Sequence, residues 1–204
     1  MKDKTYKKIY RVLSPILRFI FRVKITGAEN EPEEDTPVLV CSNHISMADP
    51  IVISVSLCHR QVRYMAKKEI FGVPVVASLV RAFGAYPVDR KNADAGALKR
   101  TIEMLKAGES VGMFPQGTRC PGVDPSETKV KPGAGMICSR SGAVVLPVHI
   151  KTKKYKFGPF RKTEVIIGKP IPYENLVTDD GAAKEYGMIT RKIFDEILLL
   201  GREK

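Results

Sequence analysis

The sequence predicts an α/β domain, a mixed but largely parallel sheet flanked by helices, preceded by an amphipathic helical segment. Three observations carry this. Short apolar runs that read as buried strands alternate along the chain with longer segments of helical period. Of the 204 residues, 44% are hydrophobic and 27% charged, the balance of a chain that folds around a core. The 34 Lys and Arg against 22 Asp and Glu leave a net charge of +12. Such a charge implies an anionic partner: nucleic acid, phospholipid headgroups, an acidic protein or a phosphorylated substrate.

The opening stretch, MKDKTYKKIYRVLSPILRFIFRVK, holds eight basic residues against the single acid Asp3. Pro15, Arg18 and Arg22 interrupt its apolar region and no small-residue cleavage site follows, so it does not read as a signal peptide. It lacks the roughly 20 successive apolar residues of a spanning helix. At helical period Lys4, Lys8, Arg11, Arg18 and Arg22 share one face, and Tyr6, Ile9, Tyr10, Leu13, Ile16, Leu17 and Ile20 the other. Ser14 before Pro15 has the form of an N-cap and a first helical residue, which predicts two short helices with a break at 14. Such a pair could pack on its own domain with the basic stripe in solvent. The reading favoured here is an interfacial anchor over residues 1–23, apolar face toward the acyl chains and cations among anionic headgroups, with the α/β domain over 24–204.

After a loop that reads as solvated (ENEPEED, 29–35), the elements follow in order. TPVLVCSN is a buried strand, DPIVISVSLC a helix, QVRYMAK a strand, VPVVASLVRAF a helix and AYPV a short strand. ADAGALKRTIEMLKAG is a helix ended by Gly108, and SVGMFP a further buried strand. A long loop from 115 to about 133 precedes a small-residue helix (134–141), the strands AVVLPVHI and TEVIIG, and the amphipathic tail AAKEYGMITRKIFDEILLLG. Cys41, Cys58, Cys120 and Cys138 are scattered singly, which argues against a disulfide framework or a zinc site and for a reducing compartment, the cytoplasm. Cys41 and Cys58 fall in apolar stretches and read as small buried hydrophobes.

The segment NHISMAD (43–49) closes the first buried strand. Asp49 before Pro50 has a purely structural reading, a cap and a first helical residue, and His44 could be a polar loop residue. Position favours chemistry: Asn43 and His44 end a strand and Asp49 opens the next helix, so both lie at the carboxyl edge where open α/β sheets bind ligands. A carboxylate can set the imidazole's tautomer and leave the other ring nitrogen free to take a proton from a substrate hydroxyl. No G-x-S-x-G elbow is present, so the nucleophile belongs to the substrate. FPQGTR (114–119) follows another buried strand, where Gly117 permits close backbone approach, Thr118 offers a hydroxyl and Arg119 a planar fork for phosphate. Arg90 in AYPVDR, and Lys67 and Lys68 in AKKE, stand beyond two further strands.

NHISMADP, GAYPVDR, FPQGTR and VVLPV occur in the order and spacing of the four blocks of the glycerolipid acyltransferases, and over residues 22 to 170 the chain resembles that family, most of all its bacterial 1-acylglycerol-3-phosphate members. The resemblance implies acyl transfer from a thioester of coenzyme A or acyl carrier protein to the free hydroxyl of lysophosphatidic acid. It makes His44 the general base and Asp49 its orienting partner. Gly117, Thr118 and Arg119 would hold the acceptor's glycerol phosphate, with Arg90 and Lys68 as further cations. Asn43, Gln116 and Pro147 would support the site, Pro147 by shaping a pocket. No cofactor or metal is implied. The family's third block carries glutamate where this chain has Gln116, which leaves the acceptor open: glycerol-3-phosphate or another lysophospholipid are the alternatives. Outside the enzyme class, the alternative is a non-catalytic basic module for membrane or nucleic acid.

KTKKYKFGPFRK (151–162) carries six basic residues and three aromatics without an acid. In isolation that suits single-stranded nucleic acid. A purely structural reading is a solvated hairpin turning at Gly158-Pro159; beside an anchor the segment reads as a second membrane contact or a docking patch for acidic carrier protein, with no nucleic acid expected. Lys131 and Gly133 are candidates for the border of the phosphate site, and His59 and His149 read as ordinary surface or core residues. The partners expected are thus an anionic membrane surface, a lysophospholipid and carrier protein, at the cytoplasmic face of the cell membrane.

Overall fold

A computed structural model describes residues 4–58, 60–88, 95–177 and 183–202. Helix α1 (Lys4–Ile20) leads into β1 (Val23–Thr26), then β2 (Val38–Ser42), α2 (Asp49–Ser56), β3 (Val62–Lys67), α3 (Pro74–Ala82) and β4 (Ala85–Val88). The chain continues through α4 (Ala95–Lys106), β5 (Ser110–Met113), α5 (Gly133–Ser141), β6 (Val144–Thr152), β7 (Thr163–Ile167) and α6 (Ala183–Arg202). The strands form one seven-stranded sheet in the order β1-β7-β6-β2-β5-β3-β4. From β6 to β4 every pairing is parallel; β7 runs antiparallel to β6 and parallel to β1. The expected mixed, largely parallel sheet is what forms.

Alternation along the central strands explains why the sheet is covered on both sides. Leu39, Cys41, Val111 and Val145 pack with α4, α5 and α6, whose core face includes Leu105, Ile137, Ile193 and Phe194. Val38, Val40, Val62, Leu146 and Val148 point the other way, against Val52 and Ile53 of α2 and Leu57 just after it. All five residues of β2 are buried, as two-sided coverage of a parallel strand requires. Helices α5 and α6 touch at Gly135, where a Cβ would sit 2.1 Å from Tyr186 O, so no larger residue fits.

Three expectations are corrected. The N-terminal segment is one helix, not two: Ser14 is buried and Pro15 lies inside α1. Proline removes one helical hydrogen bond, but here both flanks are pinned to the same group. Tyr10 Oη donates to Val55 O (3.2 Å) and Arg18 Nε donates to it at 2.7 Å. Part of the helix's apolar face therefore belongs to the domain, with Tyr6, Tyr10, Leu13 and Leu17 packed against Ile51, Val55 and Phe83. The acidic loop is not merely solvated: the buried guanidinium of Arg60 bonds Glu31 Oε1 (3.2 Å), Thr36 O (2.7 Å) and Glu33 O (2.9 Å). Cys58 is exposed, whereas Cys41 and Cys138 are buried. β1 is an unforeseen edge strand, four residues whose alternation is masked by the basic segment before it.

Candidate active site

β2 and β5 are parallel neighbours, so the chain leaves both at the same edge, beside the carboxyl end of β6. The edge thus receives Asn43 and His44 from one strand, 114–119 from the second and the 153–162 connection from the third. Asn43 is fully buried and fastens the end of β2 to β6, donating to Ile150 O (3.0 Å) and accepting from Ile150 N–H (2.8 Å).

Asp49 does not cap α2. Ala48 holds the cap position without a side-chain bond, and the fully buried Asp49 carboxylate turns back into the preceding loop. Its Oδ2 accepts from His44 Nδ1 (2.7 Å) and from the backbone N–H groups of Ile45 (2.7 Å) and Ser46 (2.8 Å). Its Oδ1 is buried with no hydrogen-bond partner among the described residues. With Nδ1–H donating to the carboxylate, Nε2 of His44 keeps its lone pair, and the side chain remains 13% exposed. The ring lies flat on Phe114, 3.9 Å between centroids and 12° between planes. The N–H groups of Ile45 and Ser46 are committed to Asp49 and that of Ala48 to Ser46 Oγ.

The loop after β5 clamps the His44 backbone at both ends. His44 N–H donates to Gln116 Oε1 (2.6 Å), and His44 O accepts from Cys120 N–H (2.8 Å). Gln116, 2% exposed, donates onward to Thr128 Oγ1 (2.8 Å). Gly117 turns the loop in a left-handed conformation (φ 67°), with Lys131 across it where a Cβ would meet Lys131 Cδ at 2.8 Å. A cleft of about 880 Å³ opens here. The residues after His44 (Ile45, Ser46, Met47) form one side, Thr118 and Arg119 another, Lys156 and Phe157 a third.

Lys68 and Pro147 do not line this cleft. Lys68 is exposed at the start of a short 3-10 turn after β3. Pro147 is buried within β6, opposite Cys41. Arg90 and His59 fall outside the described residues. His149 is a core residue, bonded to Ile197 O at 2.9 Å. Four neighbours of the site were not foreseen: Phe114 under the imidazole, Thr128 behind Gln116, and Lys156 and Phe157 across the cleft. Phe114 left a trace in sequence as an aromatic at a strand end, and Lys156 and Phe157 as members of the basic-aromatic segment 151–162; Thr128 left none.

Residues 22–151, more than half of the chain, match the family model described as Acyltransferase. The chain belongs to the acyltransferase family. It is 33% identical over 168 residues to the 1-acyl-sn-glycerol-3-phosphate acyltransferase of Bacillus subtilis (strain 168), covering 81% of this acyltransferase and 82% of that relative. With the similarly named protein of Streptococcus pneumoniae it shares 32% identity over 118 residues, 57% of this chain and 42% of that one. It spans 35% of the length of the chloroplastic LPAT1 of Arabidopsis thaliana, at 32% identity over 63% of its own length. In fold, this acyltransferase is similar to the crystal structure of the 1-acyl-sn-glycerophosphate acyltransferase PlsC from Thermotoga maritima. The TM-score is 0.68 and the identity 23%, over 98% of this chain and 80% of that one.

Proposed function

We propose that this acyltransferase moves a fatty acyl group from a thioester of coenzyme A or acyl carrier protein to the free hydroxyl of 1-acylglycerol-3-phosphate, giving phosphatidic acid. The observation that carries the reading is the 2.7 Å bond from His44 Nδ1 to buried Asp49, held beside a cleft that also presents Thr118 and Arg119. The names of the Bacillus and Streptococcus relatives support the acceptor. Gln116 supports it too: the side chain is spent on His44 N–H and Thr128 rather than turned to a substrate.

His44 Nε2 removes the acceptor hydroxyl's proton as the oxygen forms its bond to the thioester carbonyl carbon. Asp49 stabilises the imidazolium that results. The tetrahedral intermediate collapses with cleavage of the C–S bond, and the leaving thiolate takes the proton back from His44. The thioester is already activated, so alignment in the cleft and one proton relay are what the protein must add. Arg119, with Gly117 and Thr118, holds the acceptor phosphate; the described structure leaves Lys68 off the cleft wall and Arg90 outside its bounds.

The enzyme works at a membrane, as a lysophospholipid acceptor requires. No helix among the described residues is long and apolar enough to cross a bilayer. The outward side of α1 serves as a peripheral anchor on the cytoplasmic leaflet, where thioester donors are made, and the partners are that anionic surface, the lysophospholipid and, if it is the donor, carrier protein. Phosphatidic acid formation from lysophosphatidic acid and each thioester, in anionic vesicles, tests the reading. Wild type turns over with at least one donor and folded His44→Ala loses about 10²–10⁴-fold in rate. A His44→Ala variant as active as wild type defeats the mechanism.

A further inference from the structure

The basic-aromatic segment between β6 and β7 is built into the cleft wall rather than left as a solvated hairpin. Lys154 (φ 57°, ψ 30°) and Tyr155 (φ 49°) both adopt left-handed backbone conformations without being glycine. Such conformations are unfavourable for a residue with a Cβ and persist where their surroundings hold them. The surroundings here are specific. Tyr155 O accepts from Gly122 N–H (2.8 Å), and Tyr155 Oη donates to Asp124 Oδ2 (3.0 Å). Phe157 packs its ring on Phe21, 4.8 Å between centroids. Lys156 is therefore bracketed by two anchored aromatics, its stem passing 3.5 Å from where a Cβ on Gly122 would be.

That bracket sets Lys156 on the same cleft as Arg119, whose lining also includes the hydroxyl-bearing Thr118 and Ser46. Neither cation makes an ion pair among the described residues. The carboxylate that holds the neighbouring Tyr155, Asp124, is occupied: Oδ1 accepts from Ser126 N–H and Oγ–H, and Oδ2 from Tyr155. Two cations converging on one cleft repel unless an anion sits between them, and a dianionic phosphate monoester satisfies both, Arg119 as a planar fork and Lys156 as a point charge.

We propose that Lys156 is a second cationic ligand, with Arg119, for a phosphate monoester bound in the cleft. It rests on the proposed reaction for the identity of that phosphate, which both lysophosphatidic acid and coenzyme A carry. The strained turn at 154–155 is the device that aims the lysine.

The test compares wild type, Lys156→Met and Lys156→Arg as full chains on anionic vesicles, varying acceptor at saturating acyl-CoA and then the reverse. Lys156→Met raises one KM by about tenfold, the loss of one charge-assisted contact, with kcat within a few-fold; Lys156→Arg restores most of it. A rise in the acceptor KM assigns the phosphate to lysophosphatidic acid, and a rise in the donor KM assigns it to coenzyme A. Unchanged KM for both, or a defect that arginine does not relieve, overturns the proposal. Calorimetric titration with glycerol 3-phosphate separates this from the reaction itself. Binding by wild type that weakens in Lys156→Met sustains the phosphate site even if lysophosphatidic acid is not acylated. Equal binding by both, or none by wild type, removes it.

Discussion

The backbone N–H of His44 donates a 2.6 Å hydrogen bond to the side-chain carbonyl of Gln116. The proposed base is thus set on a strut from the neighbouring strand's loop, and the strut continues through Gln116 Nε2 to Thr128 Oγ1 and from that hydroxyl to Pro125 O (2.7 Å). Gln116→Ala leaves the His44 N–H and the Thr128 hydroxyl without this partner in a half-buried site, a cost of about 1 kcal/mol. Thermal unfolding should move down accordingly, with kcat falling at least tenfold and KM little changed. Gln116→Glu should stay within a few-fold of wild type. The carboxylate still accepts from His44, and Thr128 turns its proton from Pro125 O to the glutamate. A Gln116→Glu variant that switched acceptor preference would place this side chain at the substrate instead.

Asp49→Asn separates charge from shape. An amide oxygen in the place of Oδ2 still accepts from His44 Nδ1, Ile45 and Ser46, so the tautomer and the loop survive. The amide nitrogen then occupies the position of Oδ1, which is buried without a partner among the described residues. We expect kcat lower by about 10²–10⁴-fold, because an uncharged group stabilises the imidazolium poorly, together with a loss of stability of about 1–3 kcal/mol for the unsatisfied amide. Steady-state rates and urea unfolding on the same preparation give both numbers. Unchanged kcat would mean that Asp49 only orders the loop.

What the sequence disclosed follows from how locally each feature is encoded. β2 and β5 are legible because burial on both faces leaves unbroken apolar runs, β3 because buried Val62 and Tyr64 alternate with half-buried residues, and His44 and Asp49 because they flank the end of β2. The reach of Arg119 and Thr118 was legible mainly through the family resemblance. Gln116 reads from sequence only as a supporting residue that leaves the acceptor open, because both of its partners, His44 and Thr128, lie elsewhere in the chain. The continuity of α1 through Pro15 depends on the Val55 carbonyl in another helix, which no rule about Ser-Pro pairs contains. Lys156 reaches the cleft only because β6 lies beside β2, a property of topology.

His149 makes stability fall in acid. Burial lowers its pKa to about 4 from the ordinary 6.5; Lys151 pushes the same way, while the Ile197 carbonyl and Asp124 oppose. Above about pH 6.5 the ring is neutral folded and unfolded, and nothing is lost. Between there and pH 4 the unfolded chain takes up a proton that the folded core refuses. Stability therefore declines across this window by roughly 3 kcal/mol. Urea unfolding at several pH values should show a shallower acid decline in His149→Gln, which can still donate to Ile197 O but does not titrate. Parallel curves for the two proteins would assign the acid loss to other groups.

The outward stripe of α1 decides the membrane reading. Tyr6, Tyr10, Leu13 and Leu17 are used on the domain, yet Val12, Ile16 and Phe19 stand 61%, 49% and 76% exposed on another side of the same helix. Their spacing of four and three residues makes them one stripe, next to exposed Lys8 and Arg11. Phe160, 64% exposed, is tied beside the end of the helix by its N–H to Ile20 O (2.7 Å). Each such side chain gains about 1.5–3 kcal/mol when fully buried, and each cation near an anionic leaflet adds about 1 kcal/mol. Wild type should co-sediment with vesicles containing anionic lipid, more weakly as salt rises. Ile16→Asp with Phe19→Asp should abolish co-sedimentation without lowering the unfolding temperature, since neither side chain packs on the domain. Retained binding in the double variant would show that α1 is only a structural helix, and that the acceptor reaches the cleft without an anchor on this face.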